Sequence, residues 1–191
     1  ETPLTAAALA YTALNEGSAT RVGQRYVQKY GGEFDPEEIA PDPDDPWRTR
    51  VTAQLYYEGY QYTAARQLNG SQRAAVSSTA EILHPGANRT AWQLPETTFD
   101  RRLEGVSEPT TTNRAGELMV DALLVARGTP PSRAERVAAG WRNGRIDQYD
   151  TEERTVAVWT TEWANETAAA SFTETYVTRV PATRVEGFDE E

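Results

Sequence analysis

One histidine, His84, stands among 29 aspartates and glutamates in this 191-residue chain, and there is no cysteine. That inventory removes disulfides, thiolate metal sites and cysteine nucleophiles. A Ser-His-Asp system would have to use His84, yet no G-x-S-x-G elbow marks an activated serine, and "LHPG" reads first as a proline-fixed turn. Without H-E-x-x-H, the chain by itself builds no zinc site of two histidines and a glutamate. "GWRNGR" fits neither a Walker loop nor a Rossmann fingerprint. The carboxylate in the most unusual setting is Glu16, which precedes Gly17 inside "ALNEGSATRVGQRY". Glycine in a helix interior costs roughly 1 kcal/mol relative to alanine, so its use there needs a reason.

The elements that must position these groups read as follows. Residues 4–30 suit a helix, with Leu4, Ala8, Tyr11, Asn15, Ser18, Val22 and Tyr26 on one stripe and "YGG" as its stop. The proline-rich acidic stretch "EFDPEEIAPDPDDP" then excludes regular helix or central strand. Its carboxylates do not have EF-hand spacing, and a solvated loop over 33–46 is the better reading. A second helix spans Trp47–Leu68, with Val51, Leu55, Tyr62, Ala65 and Leu68 apolar and the cluster "YYEGYQY" within it. A short third helix covers Ser71–Leu83, followed by an extended piece at "TAWQLPE" and a polar connector at "SEPTTTN".

Arg114–Arg127 is again helical, with Leu118, Met119, Ala122, Leu123 and Val125 inward and Gly128 closing it. Pro131 and Ser132 start a further short helix that Gly140 stops. Strands near Arg145–Tyr149 and Thr155–Thr161 form a β-hairpin across Asp150–Glu153, and Ala164–Val177 is the last helix. The expected fold is α+β, mostly helical, a single domain over 1–180 with one small hairpin and an acidic tail at 181–191.

Composition sets the environment. Net charge is -10, and Lys29 is the only lysine. Abundant carboxylate with almost no lysine points to a halophile, since at molar salt the Debye length is only about 3 Å and an acidic surface hardly repels itself. The acidity argues against nucleic acid as a partner, because no basic patch neutralises phosphates. No apolar run approaches the roughly 20 residues of a transmembrane helix. Sequons at Asn69, Asn88 and Asn165 favour an exported, glycosylated protein.

"ALNEGSATRVGQRY" resembles the gluzincin (zinc-metallopeptidase) helix that reads A-L-x-E-G-x-A-x-x-V-x-x-x-Y. Three further segments, "STAEILHPGANRTAWQLP", "AAGWRNGRIDQY" and "VWTTEWANETAAASFTETY", are similar in the same order to a haloarchaeal surface-protein (lipoprotein) family with such a domain. The likeness spans roughly residues 7 to 178. It implies a zincin-like helical region, places Glu16 at the third zinc-ligand position, and makes Arg145 and Tyr149 candidates for stabilising an oxyanion. Thr12, Ala19 and Thr20, at contact spacing from Glu16, are all small and would leave room for a metal or a facing helix. The family's G-G-D is Arg142-Asn143-Gly144 in this chain, so its acidic residue is gone.

Three functional readings follow. The leading one is a non-catalytic extracellular or cell-surface module of a halophile on a metallopeptidase-like scaffold, without a cofactor of its own. The second is the C-terminal half of an active gluzincin, with H-E-x-x-H on a preceding segment that would complete a zinc site with Glu16. The third is a glycosylated ligand-binding domain using Tyr56, Tyr57, Tyr60 and Tyr62 as a platform. Expected partners are an N-terminal companion fragment or another cell-envelope protein, with lipid anchoring through an upstream segment.

Overall fold

In the computed structural model, residues 6–42, 44–66, 76, 78–85, 108–150 and 154–178 are described. Helix α1 (Ala6–Lys29) and helix α2 (Trp47–Ala65) form the most extensive helix pair. Their contacts advance together along both chains: the Tyr56 hydroxyl donates to Glu16, Gly17 faces Gly59, and Arg21 donates to the Thr63 carbonyl. The two helices therefore run in the same direction. A helix of 24 residues is about 36 Å long, and residues 30–46 must carry the chain back along it.

That return segment is the acidic, proline-rich loop, and α2 ties it down. Phe34 packs its ring 5.6 Å from that of Tyr60, the Tyr57 hydroxyl donates to Glu37 Oε1 at 3.1 Å, and Arg50 Nη1 donates to the Asp42 carbonyl at 3.0 Å. One 3₁₀ turn, Pro36–Ile39, forms within it because Asp35 caps the Glu37 N–H and proline occupies the first turn.

The face that α1 buries is Ala6, Leu9, Ala10, Ala13, Leu14 and Gly17. This corrects the expected stripe, since Tyr11, Val22 and Tyr26 are exposed. Aromatic rings weigh heavily in a periodicity count, but the close approach of α2 admits only small residues and leucine. A Cβ on Gly17 would lie 2.0 Å from the Gly59 carbonyl carbon, and a Cβ on Gly59 would lie 1.9 Å from the Ala13 carbonyl oxygen. No side chain fits between the helices at that level.

Helix α3 (Thr79–Leu83) is capped by Ser78, whose hydroxyl accepts from the Ala80 N–H. Strand β1 (Thr111–Asn113) leads into helix α4 (Glu117–Ala126), the most apolar helix, and helix α5 (Pro131–Ala138) follows after a turn at Gly128, whose φ is 83°. Strands β2 (Trp141–Asp150) and β3 (Thr155–Trp163) complete an antiparallel sheet of order β1-β2-β3. The expected hairpin is thus present and longer, and the stretch read as a polar connector supplies an edge strand in register Thr112↔Asp147. Helix α6 (Glu166–Val177) lies against the sheet through rings: Phe172 stacks on Trp163 at 4.6 Å and on Tyr176 at 5.4 Å, and meets Trp159 edge-on at 5.7 Å.

The protein is α+β and mostly helical, as expected. One core lies among α1, α2, α3 and α4 around Leu14, Leu55, Ile82 and Leu118. A second joins α4, α5, the sheet and α6 around Leu124, Val137, Trp141 and Phe172. Helix α4 belongs to both, which is why nearly every side of it is apolar. Among the described residues no helix is long and apolar enough to cross a membrane. The expected third-helix start at 71–75, the extended piece near residue 92 and the tail at 181–191 lie outside the described residues.

Candidate functional site

Where α2, α4 and α5 meet, they line a half-open cavity of about 370 Å³ in which charged side chains are set among apolar ones. Its walls follow from helical spacing. Arg50, Gln54, Tyr57 and Glu58 recur along α2 at intervals that return to one face. Glu117 and Asp121, four apart on α4, form the opposite wall, and Ser132 and Glu135 of α5 close a third side. His84 enters from the C-cap of α3, immediately before the proline that ends that helix.

Burial of these groups is unusual for their type. Arg50 is 4% exposed, Gln54 6%, Glu117 2% and Asp121 5%. His84 Nε2 lies 2.6 Å from Glu117 Oε1, which ties the turn after α3 to the start of α4. Gln54 Nε2 donates to Asp121 Oδ2 at 2.7 Å across the α2–α4 interface. Among the described residues, Arg50 Nε, Gln54 Oε1 and Asp121 Oδ1 are buried beside the cavity without a hydrogen-bond partner.

The electrostatics follow from crowding carboxylates into a small volume. Desolvation is the main cause that pushes the Glu58 carboxyl up to about 7, with repulsion from Glu135 and Asp121 adding to it and His84 opposing. Desolvation likewise raises Asp121, against the Gln54 hydrogen bond and the Arg50 charge, while Glu135 and Glu117 push the same way. A carboxyl that changes charge near neutrality beside an imidazole–carboxylate pair can take up and release protons, and the lining can hold a ligand through several acceptors. Among the described residues no three His, Asp or Glu side chains converge closely enough to hold a metal ion.

The residues singled out in the sequence lie elsewhere. Glu16 is half-buried on the α1–α2 flank, where it accepts the Tyr56 hydroxyl and holds that phenol above its usual range. It does not line the cavity. Gly17 is small because α2 passes against it. Arg145 is paired with Asp147, Nε to the two carboxylate oxygens at 2.9 and 2.7 Å, and Thr112 Oγ1 donates to the same carboxylate at 2.7 Å. Tyr149 is buried at 2% exposure in β2, opposite Val156. Asn165 is exposed and caps α6, its Oδ1 accepting from the Ala168 N–H at 2.9 Å. Asn69 and Asn88 lie outside the described residues.

Of the tyrosine platform, Tyr60 and Tyr62 are buried in the helical core at 6% and 2% exposure, and only Tyr57 reaches the cavity. His84, read as a turn residue, both terminates α3 and enters the site. The signal for the missed residues was present: Arg50, Gln54 and Glu58 form a polar i, i+4, i+8 stripe beside the apolar one, and Glu117 and Asp121 interrupt an otherwise apolar helix at i, i+4.

Residues 101–190 match a family described as Domain of unknown function (DUF8575). No curated protein and no solved structure matches the chain.

Proposed function

We propose that this chain is a non-catalytic binding module of a halophile's cell surface or exterior, and that the cavity between α2, α4 and α5 receives its ligand. The observation that supports this reading is a cavity of small-molecule size, about 370 Å³, lined by Arg50, Gln54, His84 and the carboxylates Glu58, Glu117, Asp121 and Glu135. The halophilic setting rests on the net charge of -10 with one lysine, and the exported setting on the sequons, of which Asn165 is exposed. The metallopeptidase-like scaffold rests on the motif resemblance around Glu16.

A second reading is favoured by Glu58: a carboxyl near neutrality beside the His84–Glu117 pair is suited to acid–base catalysis. In the gluzincin version, histidines from outside this chain would complete a zinc site at Glu16. The test is to incubate the purified chain with zinc at molar salt, remove free metal, and measure both retained zinc and cleavage of a peptide library. The binding-module reading expects neither. Stoichiometric zinc lost in Glu16→Gln, or cleavage abolished by Glu58→Gln, would overturn it.

A further inference from the structure

Helix α1 is apolar on two sides. One is the face buried against α2, and the opposite one carries Tyr11, Asn15, Ala19, Val22, Tyr26 and Tyr30. Among the described residues six large hydrophobic side chains are exposed, and four of them stand on this stripe: Tyr11 at 48%, Val22 at 57%, Tyr26 at 65% and Tyr30 at 67%. Ala19 is exposed and Asn15 half-buried. The rings of Tyr26 and Tyr30 lie 4.7 Å apart, so the far end of the stripe is continuous. A surface helix buries one apolar face in its own fold, and a second at helical spacing marks a contact surface.

Spacing and charge identify what covers it. Along the stripe the successive intervals are 4, 4, 3, 4 and 4, the same read in either direction. About a two-fold axis between residues 20 and 21, a second α1 lies antiparallel on the first. Val22 then sits over the partner's Ala19, Tyr26 over the partner's Asn15 and Tyr30 over the partner's Tyr11. Larger side chains meet smaller ones at the two inner levels, and one patch serves both copies, as an isologous contact requires. The segment from Gly17 to Gly32 holds no carboxylate and carries Arg21, Arg25 and Lys29, in a chain of net charge -10. Two copies therefore meet where their mutual repulsion is least, and molar salt screens the remainder. A foreign partner has no use for the symmetric spacing, and an acidic one would find Arg21 already committed to the Thr63 carbonyl.

We propose that the outer face of α1 is a homodimer interface, in which two copies pair antiparallel through this stripe. The proposal is independent of the cavity, since none of the stripe residues lines it. The stripe runs about 30 Å along the helix, so the paired helices cross at a shallow angle of about 20°. A single helix pair buries less than the roughly 1,600 Å² of a standard interface, and association is accordingly expected near a Kd of about 10 μM.

The experiment is sedimentation equilibrium on the full chain in molar KCl, over protein concentrations from about 1 to 200 μM. The mass is expected to rise from 21.2 kDa towards twice that value. Val22→Lys, at an exposed position beside the two-fold, should keep its Tm in dilute solution and weaken association at least tenfold. Tyr26→Ser, a second exposed position, should weaken it several-fold. Because the chain has no cysteine, introduced thiols report the register. An oxidised equal mixture of Asn15→Cys and Tyr26→Cys should yield the mixed disulfide. Tyr26→Cys alone should yield none, because antiparallel pairing sets its two copies about 16 Å apart along the axis, beyond the reach of a disulfide. A chain still monomeric at the highest concentration overturns the proposal. So does a dimer indifferent to both substitutions, or a disulfide from Tyr26→Cys alone. A monomer that binds phosphatidylglycerol vesicles, and loses that binding in Val22→Lys, would assign the face to a membrane instead.

Discussion

Replacing Gly17 by alanine tests the central packing claim, because two effects of opposite sign compete at that position. In an isolated helix the change would stabilise by roughly 1 kcal/mol. In this structure the new Cβ would stand 2.0 Å from the Gly59 carbonyl carbon and 2.4 Å from the Tyr60 nitrogen. Carbon atoms rest at about 3.5–4.0 Å, so the helices must part by well over an ångström, and both contacts are backbone that cannot rotate away. Overpacking costs about 1–3 kcal/mol when side chains absorb it, and a backbone clash belongs at or above the upper end. Taking about 3 kcal/mol against the 1 kcal/mol gain leaves a net loss of about 2 kcal/mol, or 4–8 °C in Tm for a chain of this size. Gly23 is the internal control, since it lies in the same helix and, among the described residues, nothing beyond its own helix backbone comes within 4 Å of its Cβ position. Gly23→Ala should raise Tm by about 2–4 °C. Thermal unfolding of both variants at molar salt decides the matter. A Gly17→Ala protein as stable as the wild type would refute the close α1–α2 crossing.

Other expectations follow from the site and the surface. Glu58, raised from 4.5 to about 7, binds its proton more tightly in the folded chain than in the unfolded one. Its contribution is therefore favourable at low pH and is lost as pH rises from about 4.5 to 7, by up to about 3 kcal/mol. Glu58→Gln should match the wild type near pH 5 and exceed it near pH 8 in denaturant titrations, and a difference independent of pH would contradict the burial of this carboxyl. Asn165→Ala removes the α6 cap and should lower Tm by about 2–4 °C, corresponding to about 1 kcal/mol, and Asn165→Ser should restore most of it. Raising KCl from 0.1 to 3 M should raise Tm by roughly 10 °C as the surface carboxylates are screened, and a flat response would remove the halophilic reading.

Much of the architecture was legible because it rests on local rules. Proline and serine at 131–132, glycine at 128 and 140, and the turn at Asp150–Glu153 between strands near Arg145–Tyr149 and Thr155–Thr161 located α5 and the hairpin to within a few residues. Strand β1 was hidden because its partner is far along the chain: "TTN" is too short and polar to declare itself, and only the register with Ile146 to Gln148 makes it a strand. The buried face of α1 was misread because small residues carry little weight in hydrophobic periodicity, though they alone permit a close helix crossing. For the site, the resemblance drew the eye to Glu16 and Arg145, whose partners Tyr56 and Asp147 lie on the α1–α2 flank and within the sheet. The cavity residues are individually ordinary. Their meaning comes from three helices meeting, which no single stretch of sequence encodes.

The cavity is also divided along the chain. Glu117, Asp121, Ser132 and Glu135 lie inside the stretch 101–190 that matches the family, whereas Arg50, Gln54, Tyr57, Glu58 and His84 lie outside it. The matched stretch supplies one acidic jaw, and the preceding helices supply the opposing jaw with the guanidinium and the imidazole. A protein sharing only the matched stretch would carry one wall of this cavity, and its other walls would have to come from outside that stretch.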